Sequence, residues 1–345
     1  MSKPFDLLGL LGKFGFERRV SLRDPATIAA FVDQAGKEVE GALDDALLLH
    51  GQRTEAMFEA LLLSLGQFEL LKGEDTGRLF PDGQYTAPDF RVVLEGGEHW
   101  LIEVKNVYER KPFGQRRKLF SGPALRRLSA YANATGAELK VAVYWARWSI
   151  WTLVSPERLM GADGGLTLDM STAIRANEMS RLGDRTVATR APLRVLLTMD
   201  QERTSPVRDD GMVIFTIGEA QMYCRDRELT EPNDQEIAWM FMRYGQWKIE
   251  GAEAVLDGDR LKAIEYRWEP VKPSDQGFDM VGSLSGMFAR YWAEQTVDKG
   301  EVVQLRASLQ PEWLERLIVR NRGDNDLPLW QFLLEPNYDE PREVG

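Results

Sequence analysis

Apolar residues recur along this chain with two different periods, and each period predicts a type of secondary structure. Helical spacing with capping residues at the ends predicts helices over 24–47, 52–65, 121–135, 234–247 and 279–295. Runs rich in Val, Ile, Tyr and Trp predict strands over 139–146, 149–154, 192–199 and 212–217. Two hairpins are predicted, over 88–107 and 249–271. The order of elements indicates an α/β or α+β layered fold.

A chain of 345 residues is long enough for two domains. We predict an N-terminal helical segment over 1–50, a central α/β domain over 51–217, and a C-terminal α+β domain over 218–345. The strands predicted over 192–199 and 212–217 are candidates to complete the sheet of the central domain. The last residues, NYDEPREVG, are expected to be frayed.

The hairpin over 88–107 places charged residues inside apolar runs. Glu103 and Lys105 lie two residues apart in LIEVK, so they share a face of their strand. Asp89 can lie on the same face as Glu103 and Lys105 only in one hairpin register. In that register, the numbers of two residues paired across the hairpin add to an even value. A two-residue Gly96-Gly97 loop gives an odd value, whereas a three-residue loop or a bulge brings the two carboxylates together.

Two adjacent carboxylates repel each other and raise each other's pKa, which favours a cation between them. Mg²⁺ suits such a site, because it takes one or two carboxylates and completes its shell with water and phosphate oxygens. A lysine beside the metal can orient or deprotonate a water and offset the charge on a phosphate. Two acids, a lysine and Mg²⁺ therefore form a minimal site for phosphodiester hydrolysis.

Pro88-Asp89, a gap of 13 residues, and Glu103-Val104-Lys105 resemble the active-site motif of the PD-(D/E)xK nuclease superfamily. The resemblance covers about residues 51–154 and implies a restriction-endonuclease-like mixed sheet flanked by helices. It implies Asp89, Glu103 and the carbonyl of Val104 as ligands of Mg²⁺, for which Mn²⁺ would substitute, and Lys105 as the catalytic lysine.

The same resemblance implies a further glutamate on the helix before the hairpin. Glu55 is the candidate, because it continues the stripe of Phe58 and Leu62 that faces the sheet. Glu59, one turn later, is the alternative. Related nucleases often carry Gln-x-x-x-Tyr on the next helix. In this chain Tyr131 occupies the position of the tyrosine, whereas Arg127 replaces the glutamine and so departs from that pattern.

Two other interpretations of this region stay open. The Pro81-Asp82 pair is a second copy of the first half of the motif, although a Gly-Gln-Tyr turn follows it instead of a strand. The charged residues could also occupy the solvated face of an ordinary hairpin. Against this, WLIEVKNV does not alternate cleanly between apolar and polar residues, which indicates burial on both faces.

Histidine and cysteine are scarce, and this scarcity excludes several kinds of chemistry. The chain has two histidines and one cysteine, Cys224, so it lacks the ligands of a Cys/His zinc site and cannot form an internal disulfide. A single cysteine fits a reducing, cytoplasmic setting. The apolar N-terminal run FDLLGLLGKFGF is too short to span a bilayer, so we expect no membrane partner.

The net charge of −11 is unevenly distributed. Residues 1–194 hold 26 basic and 25 acidic residues, whereas residues 195–345 hold 17 and 29. Segment 109–127 carries seven basic residues and one acid directly after Lys105. Its candidates for contact with phosphates are Arg110, Lys111, Arg116, Arg117, Lys118 and Arg127.

These observations predict a Mg²⁺-dependent endonuclease with a nucleic-acid partner, most simply DNA, acting in restriction or phage defence. Two alternatives remain: a nuclease fold that binds nucleic acid or a partner protein without cutting, and a ribonuclease effector. The acidic C-terminal part is not expected to lie along nucleic acid. We assign it to homodimer formation, to contact with a partner subunit, or to control of access to the site.

Overall fold

A computed structural model describes residues 7–74, 84–108, 116–308, 314 and 326–339. Three parts of the sequence predictions lie outside these described residues. They are Arg110 and Lys111 of the basic segment, the Pro81-Asp82 pair, and residues 340–345 of the tail.

Helices occupy the start of the described chain: α1 (Leu7–Arg18), α2 (Pro25–Leu43) and α3 (Ala46–Leu65). The Asp24 side chain accepts from the Ala26 N–H and caps α2, as the sequence predicts. The predicted first helix is too long, because Asp45 accepts from two backbone N–H groups and starts a new helix there. The following helix therefore begins at Ala46 instead of residue 52.

Among the described residues, five strands form the first sheet. Their order is β1 (Leu70–Gly73), β2 (Phe90–Val93), β3 (His99–Val107), β5 (Glu138–Trp145) and β6 (Ile150–Val154). β3 and β5 are parallel and the other neighbours are antiparallel. A parallel pair needs a crossover, which here consists of β4 (Arg117–Phe120) and α4 (Gly122–Ala134). The fold is therefore a mixed α+β fold, as the sequence predicts.

The β2–β3 hairpin has the even register that the candidate site requires. Paired residues have numbers that add to 192, as for Phe90 with Ile102. Residues 95–97 form a three-residue loop. Gly96 and Gly97 have φ angles of 100° and 85°, a region that favours glycine. The loop length thus places residues 89 and 103 opposite each other.

Helices cover both faces of the first sheet. On one face, β3 residues Trp100, Ile102 and Val104 are buried in a core that includes Phe58 and Leu62 of α3. On the other face, the buried cluster includes Leu101 and Val107 of β3 and Leu125 and Leu128 of α4. Because strand residues alternate between faces, Glu103 and Lys105 lie on the α4 side.

Within the described residues, a second five-stranded sheet has the order β11 (Arg227–Glu228), β10 (Ile217–Cys224), β9 (Leu193–Met199), β13 (Arg260–Glu269) and β12 (Lys248–Asp257). The strand predicted over 192–199 therefore belongs to this sheet and not to the first. The strand predicted over 212–217 is displaced to begin at Ile217, because the Ile214 and Thr216 carbonyls accept from the loop N–H groups of Ser205 and Asp200. This sheet contains strands from both sides of position 217, where the sequence predicts a domain boundary. That boundary stays a prediction.

A smaller sheet contains β14 (Asp279–Ser283), β8 (Thr186–Thr189) and β17 (Trp330–Phe332). The helix predicted over 279–295 begins later, as α7 (Leu284–Thr296), with Ser283 as its N-cap. Residues 279–283 instead form β14, which pairs with β8. The described end of the chain is docked instead of frayed: the Asn337 N–H donates to the Arg175 carbonyl, and the Tyr338 hydroxyl donates to Glu178.

The other described elements are α5 (Met170–Arg175), α6 (Pro232–Tyr244), β7 (Leu166–Leu168), β15 (Val297–Asp298) and β16 (Glu301–Val302), with short 3₁₀ helices at Ala146–Trp148, Pro156–Arg158 and Met179–Leu182. Within the described ranges, no helix combines the length and the apolarity that crossing a bilayer requires.

Candidate active site

Asp89 lies immediately before β2, the second strand of the first sheet along the chain. Its Oδ2 accepts a hydrogen bond of 2.6 Å from the backbone N–H of Val104 on β3. Burial and then the charge of Glu103 raise the pKa of Asp89 to about 7, against the lowering effects of the Val104 N–H and Lys105. A half-buried carboxylate with a raised pKa beside a second acid is the arrangement in which a bound cation would be most favourable.

Glu103 and Lys105 lie side by side on β3, as their spacing predicts. The Lys105 Nζ is 2.6 Å from the Glu103 Oε1, and the Glu103 side chain is only 13% exposed. The ammonium also lies 5.1 Å from the centre of the Phe120 ring at the end of β4. The lysine is thereby held between a carboxylate and an aromatic face, with a third of its side chain open to solvent.

The choice between the two candidate glutamates on α3, Glu55 and Glu59, stays a prediction. The charge of Glu55 contributes to raising the pKa of Asp89, so Glu55 lies within electrostatic range of the site. Glu59 forms an ion pair with Arg306, with 3.0 Å between the guanidinium nitrogen and the carboxylate oxygen. Glu59 is therefore already engaged with the chain that follows α7.

The donor chemistry suits a hard divalent cation, because the site offers carboxylate oxygens from Asp89 and Glu103. Among the described residues, however, no group of three or more His, Cys, Asp or Glu side chains has a metal-binding arrangement. Asp89, Glu103 and Glu55 thus do not form a closed three-carboxylate cage. Two carboxylates are sufficient for Mg²⁺, which commonly retains several waters. Whether the carbonyl of Val104 is a ligand stays a prediction.

A second charged cluster lies beside Asp89 and was missed by the sequence analysis. The Glu74 carboxylate accepts two hydrogen bonds from Arg91, at 2.7 and 3.1 Å, and one of 2.8 Å from the Tyr131 hydroxyl on α4. The hydrogen bonds from Arg91 hold the pKa of Glu74 at about 2. The Glu74 N–H donates to the Asp89 carbonyl, so this cluster fixes the backbone at the candidate site.

The described part of the basic segment forms an edge next to α4. Arg116, Arg117 and Lys118 are exposed at the start of β4. The Lys118 ammonium is 3.2 Å from the exposed carboxylate of Asp163, and Arg116 makes a long contact of 3.5 Å with the Thr167 carbonyl. Such exposed contacts are weak, so these cations can exchange them for a phosphate partner.

Arg127 lies on α4 and contacts the segment that leads into Asp89. Its carbonyl accepts from the Thr86 N–H at 3.3 Å, and its Nε donates to the Thr86 hydroxyl at 3.4 Å. Tyr131 is one turn further along the same helix and reaches Glu74. α4 therefore supports both segments that border the site.

Comparisons with known proteins add little to this geometry. Neither a protein-family model nor a curated protein matches the chain. Among solved structures, the chain is similar to Hjc of Archaeoglobus fulgidus, a Holliday junction resolvase from an archaeal hyperthermophile, at 23% identity and a TM-score of 0.28. The match covers 36% of this chain and 94% of the resolvase chain. A similarity this weak supports no conclusion, and the functional proposal rests on the site itself.

Proposed function

We propose that this protein is a metal-dependent endonuclease that hydrolyses phosphodiester bonds in DNA. The observation that supports the proposal best is the hairpin register, which places Asp89 opposite Glu103 with Lys105 paired to Glu103. A solvated hairpin face would not need two half-buried acids so close together that the charge of Glu103 disfavours ionisation of Asp89.

Asp89 and Glu103 would hold a Mg²⁺ or Mn²⁺ ion, with the Val104 carbonyl and Glu55 as further candidates. When bound, such an ion supplies a Lewis acid for the phosphate and lowers the pKa of a bound water. The Val104 N–H keeps the Asp89 carboxylate in place, because it donates to Oδ2.

Lys105 would act on the attacking water and on the phosphate. Its ammonium reaches Glu103 while part of its side chain stays open to solvent. From there it can orient the water and offset the negative charge that develops on the phosphate oxygens. Glu103 fixes the ammonium from one side, so the lysine needs little reorganisation when the substrate binds.

The basic edge would hold the nucleic-acid backbone. Its exposed cations are Arg116, Arg117 and Lys118, and Arg127 lies close to the site on α4. Arg110 and Lys111 extend this run in the sequence. Phosphate contacts of this kind position a strand without reading its bases.

Three finer features belong to this proposal. We assign the catalytic function to residues 51–217, and a regulatory or partner-binding function to the acidic residues 218–345. We place the protein in the cytoplasm, since its one cysteine, Cys224, is buried and free. Restriction or phage defence is the role that a DNA endonuclease of this kind would serve.

Lys105→Ala separates an endonuclease from a module that only binds. We expect wild type to cleave plasmid or branched DNA when Mg²⁺ or Mn²⁺ is added, and to stop when EDTA removes the metal. The variant should cleave more slowly by about 10²-fold or more. Its affinity for DNA, measured by fluorescence anisotropy, should stay nearly unchanged, because the basic edge is intact.

Lys262→Ala is the matched control, since Lys262 is an exposed lysine on β13 in the other sheet. It should cleave like wild type. If wild type binds DNA but cuts neither duplex, single-stranded nor branched substrates with either metal, the binding-module alternative is correct. Cleavage of RNA alone would instead support the ribonuclease alternative.

A further inference from the structure

One face of α2 is used within the chain. Thr27 is buried, and the Phe31 ring meets the Phe14 ring of α1 edge-on, with centres 5.6 Å apart. On the same side, the Gln34 side chain accepts a hydrogen bond from Arg18. α1 therefore covers this face of α2.

A second face of α2 carries large apolar side chains that stay exposed. Ile28, Val32, Val39 and Leu43 are 45%, 62%, 58% and 60% exposed, respectively. Their spacing places all four along one stripe of the helix, about 22 Å long at 1.5 Å per residue. Single exposed apolar residues are ordinary, but an aligned row of four marks an interaction surface.

The order of residues in this stripe is symmetric about the middle of the helix. Ile28 and Leu43 are equally far from the point between Ala35 and Gly36, and so are Val32 and Val39. If two copies of α2 lie antiparallel across a two-fold axis at that point, Ile28 meets Leu43 of the other copy. Val32 then meets Val39 in the same way. A surface that is complementary to itself in this manner fits a two-fold interface.

Gly36 lies at the centre of the stripe and is exposed. A Cβ built on Gly36 would meet nothing within 4 Å, so the fold of a single chain gives no reason for glycine there. A glycine in the interior of a helix makes that helix less stable than an alanine would. Together with Ala35 it leaves a shallow point where the backbone of a second helix can approach closely.

We propose that a second copy of this chain docks on the stripe, α2 against α2, antiparallel about an axis between Ala35 and Gly36. The symmetry of the stripe favours a second copy over an unrelated partner, because an unrelated helix would not require matched residues on both sides of Gly36. This interface is independent of the proposed nuclease site. It also places the dimer contact near the N-terminus and not in the acidic C-terminal part.

Charge substitutions test both the interface and its direction by sedimentation velocity. Val32→Glu should raise the dimer dissociation constant at least about tenfold, because two carboxylates enter an apolar contact. Val39→Glu should do the same. The double variant Val32→Glu, Val39→Lys should recover most of the affinity, because each glutamate then faces a lysine of the other copy. A parallel pair would instead bring like charges together in that variant.

Lys37→Ala is the control, since Lys37 is exposed on the opposite side of α2 and pairs with Asp33. It should dimerise like wild type, and circular dichroism should show that all variants are folded. The proposal is overturned if wild type is monomeric at the highest concentration reached, or if Val32→Glu dimerises as tightly as wild type. It is also overturned if the double variant stays as weak as the single ones.

Discussion

At the scale of single residues, the ionisation of Asp89 connects stability to function. Its pKa is raised to about 7 in the folded chain, from an ordinary value of 3.8. The folded state therefore keeps a proton that the unfolded state loses between these two values. The contribution of Asp89 to the free energy of unfolding is full below pH 4 and is lost as the pH rises to 7, by roughly 2–4 kcal/mol.

Asp89→Asn removes this dependence, because an amide does not ionise and can still accept from the Val104 N–H. In metal-free buffer we expect the variant to melt at a higher temperature than wild type at pH 8, and at a similar temperature at pH 4. Asp275→Asn, at an exposed loop position, is the control and should shift neither temperature. Equal melting temperatures for wild type and Asp89→Asn at pH 8 would show that the ionised Asp89 carboxylate does not destabilise the folded protein.

The same pair of proteins tests metal binding without a cleavage assay. Millimolar Mg²⁺ or Mn²⁺ should raise the melting temperature of wild type at pH 8, since a ligand that binds only the folded state stabilises it. Asp89→Asn should lose this response, because it removes one ligand charge. A response that persists in the variant would place the metal elsewhere and exclude Asp89 as a ligand.

At the scale of elements, Glu74 joins the edge of the first sheet to α4. Its pKa is lowered from 4.5 to about 2, chiefly by Arg91, so its contribution is present above pH 4.5 and is lost as the pH falls toward 2. Glu74→Gln should therefore destabilise the protein at pH 7, by up to about 3 kcal/mol in urea unfolding. The loss should shrink at pH 3, and a loss that is the same at both pH values would contradict this account.

The exposed start of β4 is the second element whose function can be tested. Removing Arg116, Arg117 and Lys118 together should weaken DNA binding and make it less sensitive to salt. The slope of the logarithm of the binding constant against the logarithm of the salt concentration should fall in magnitude by up to about 2.7, for three duplex phosphates. The control removes the exposed Lys248, Arg260 and Lys262 from the β12–β13 hairpin and should leave the slope unchanged. If both triple variants behave alike, the cations of β4 are merely solvated.

At the scale of the whole molecule, a buried ion pair ties the C-terminal end to the first sheet. Lys140 on β5 is 3% exposed and lies 2.6 Å from Glu178, which also accepts from the Tyr338 hydroxyl. Lys140 further contacts Glu138 at 2.7 Å and lies 4.6 Å from the centre of the Trp100 ring. Tyr338 and Glu178, which are 160 positions apart in the chain, thus meet beside one ammonium group.

Glu178→Leu should destabilise the protein by about 3–5 kcal/mol, because it leaves the buried Lys140 short of a counter-charge. The double variant Lys140→Met, Glu178→Leu should recover much of that loss in urea unfolding. The exposed pair of Arg181 and Glu98 is the control, and Glu98→Gln should cost less than about 1 kcal/mol. A double variant no more stable than Glu178→Leu would show that the lost hydrogen bonds dominate.

The sequence by itself determined the local features. The caps of α2 and α4 were predictable because Asp24 and Ser121 bond to N–H groups two and three residues away. Glu103 and Lys105 had to share a face, because strand residues alternate. The register of the β2–β3 hairpin was left open between two loop lengths by the sequence, and the structure shows the even one.

Only the tertiary structure decided which distant residues meet. Glu74 bonds to Arg91 and Tyr131, which are 17 and 57 positions away, and no period in the sequence marks such contacts. The strand at 192–199 joins a second sheet, because its partners β10 and β13 come later in the chain. Local patterns fix which segments are helix or strand, whereas burial and non-local pairing select among the sheets and ion pairs that those segments can form.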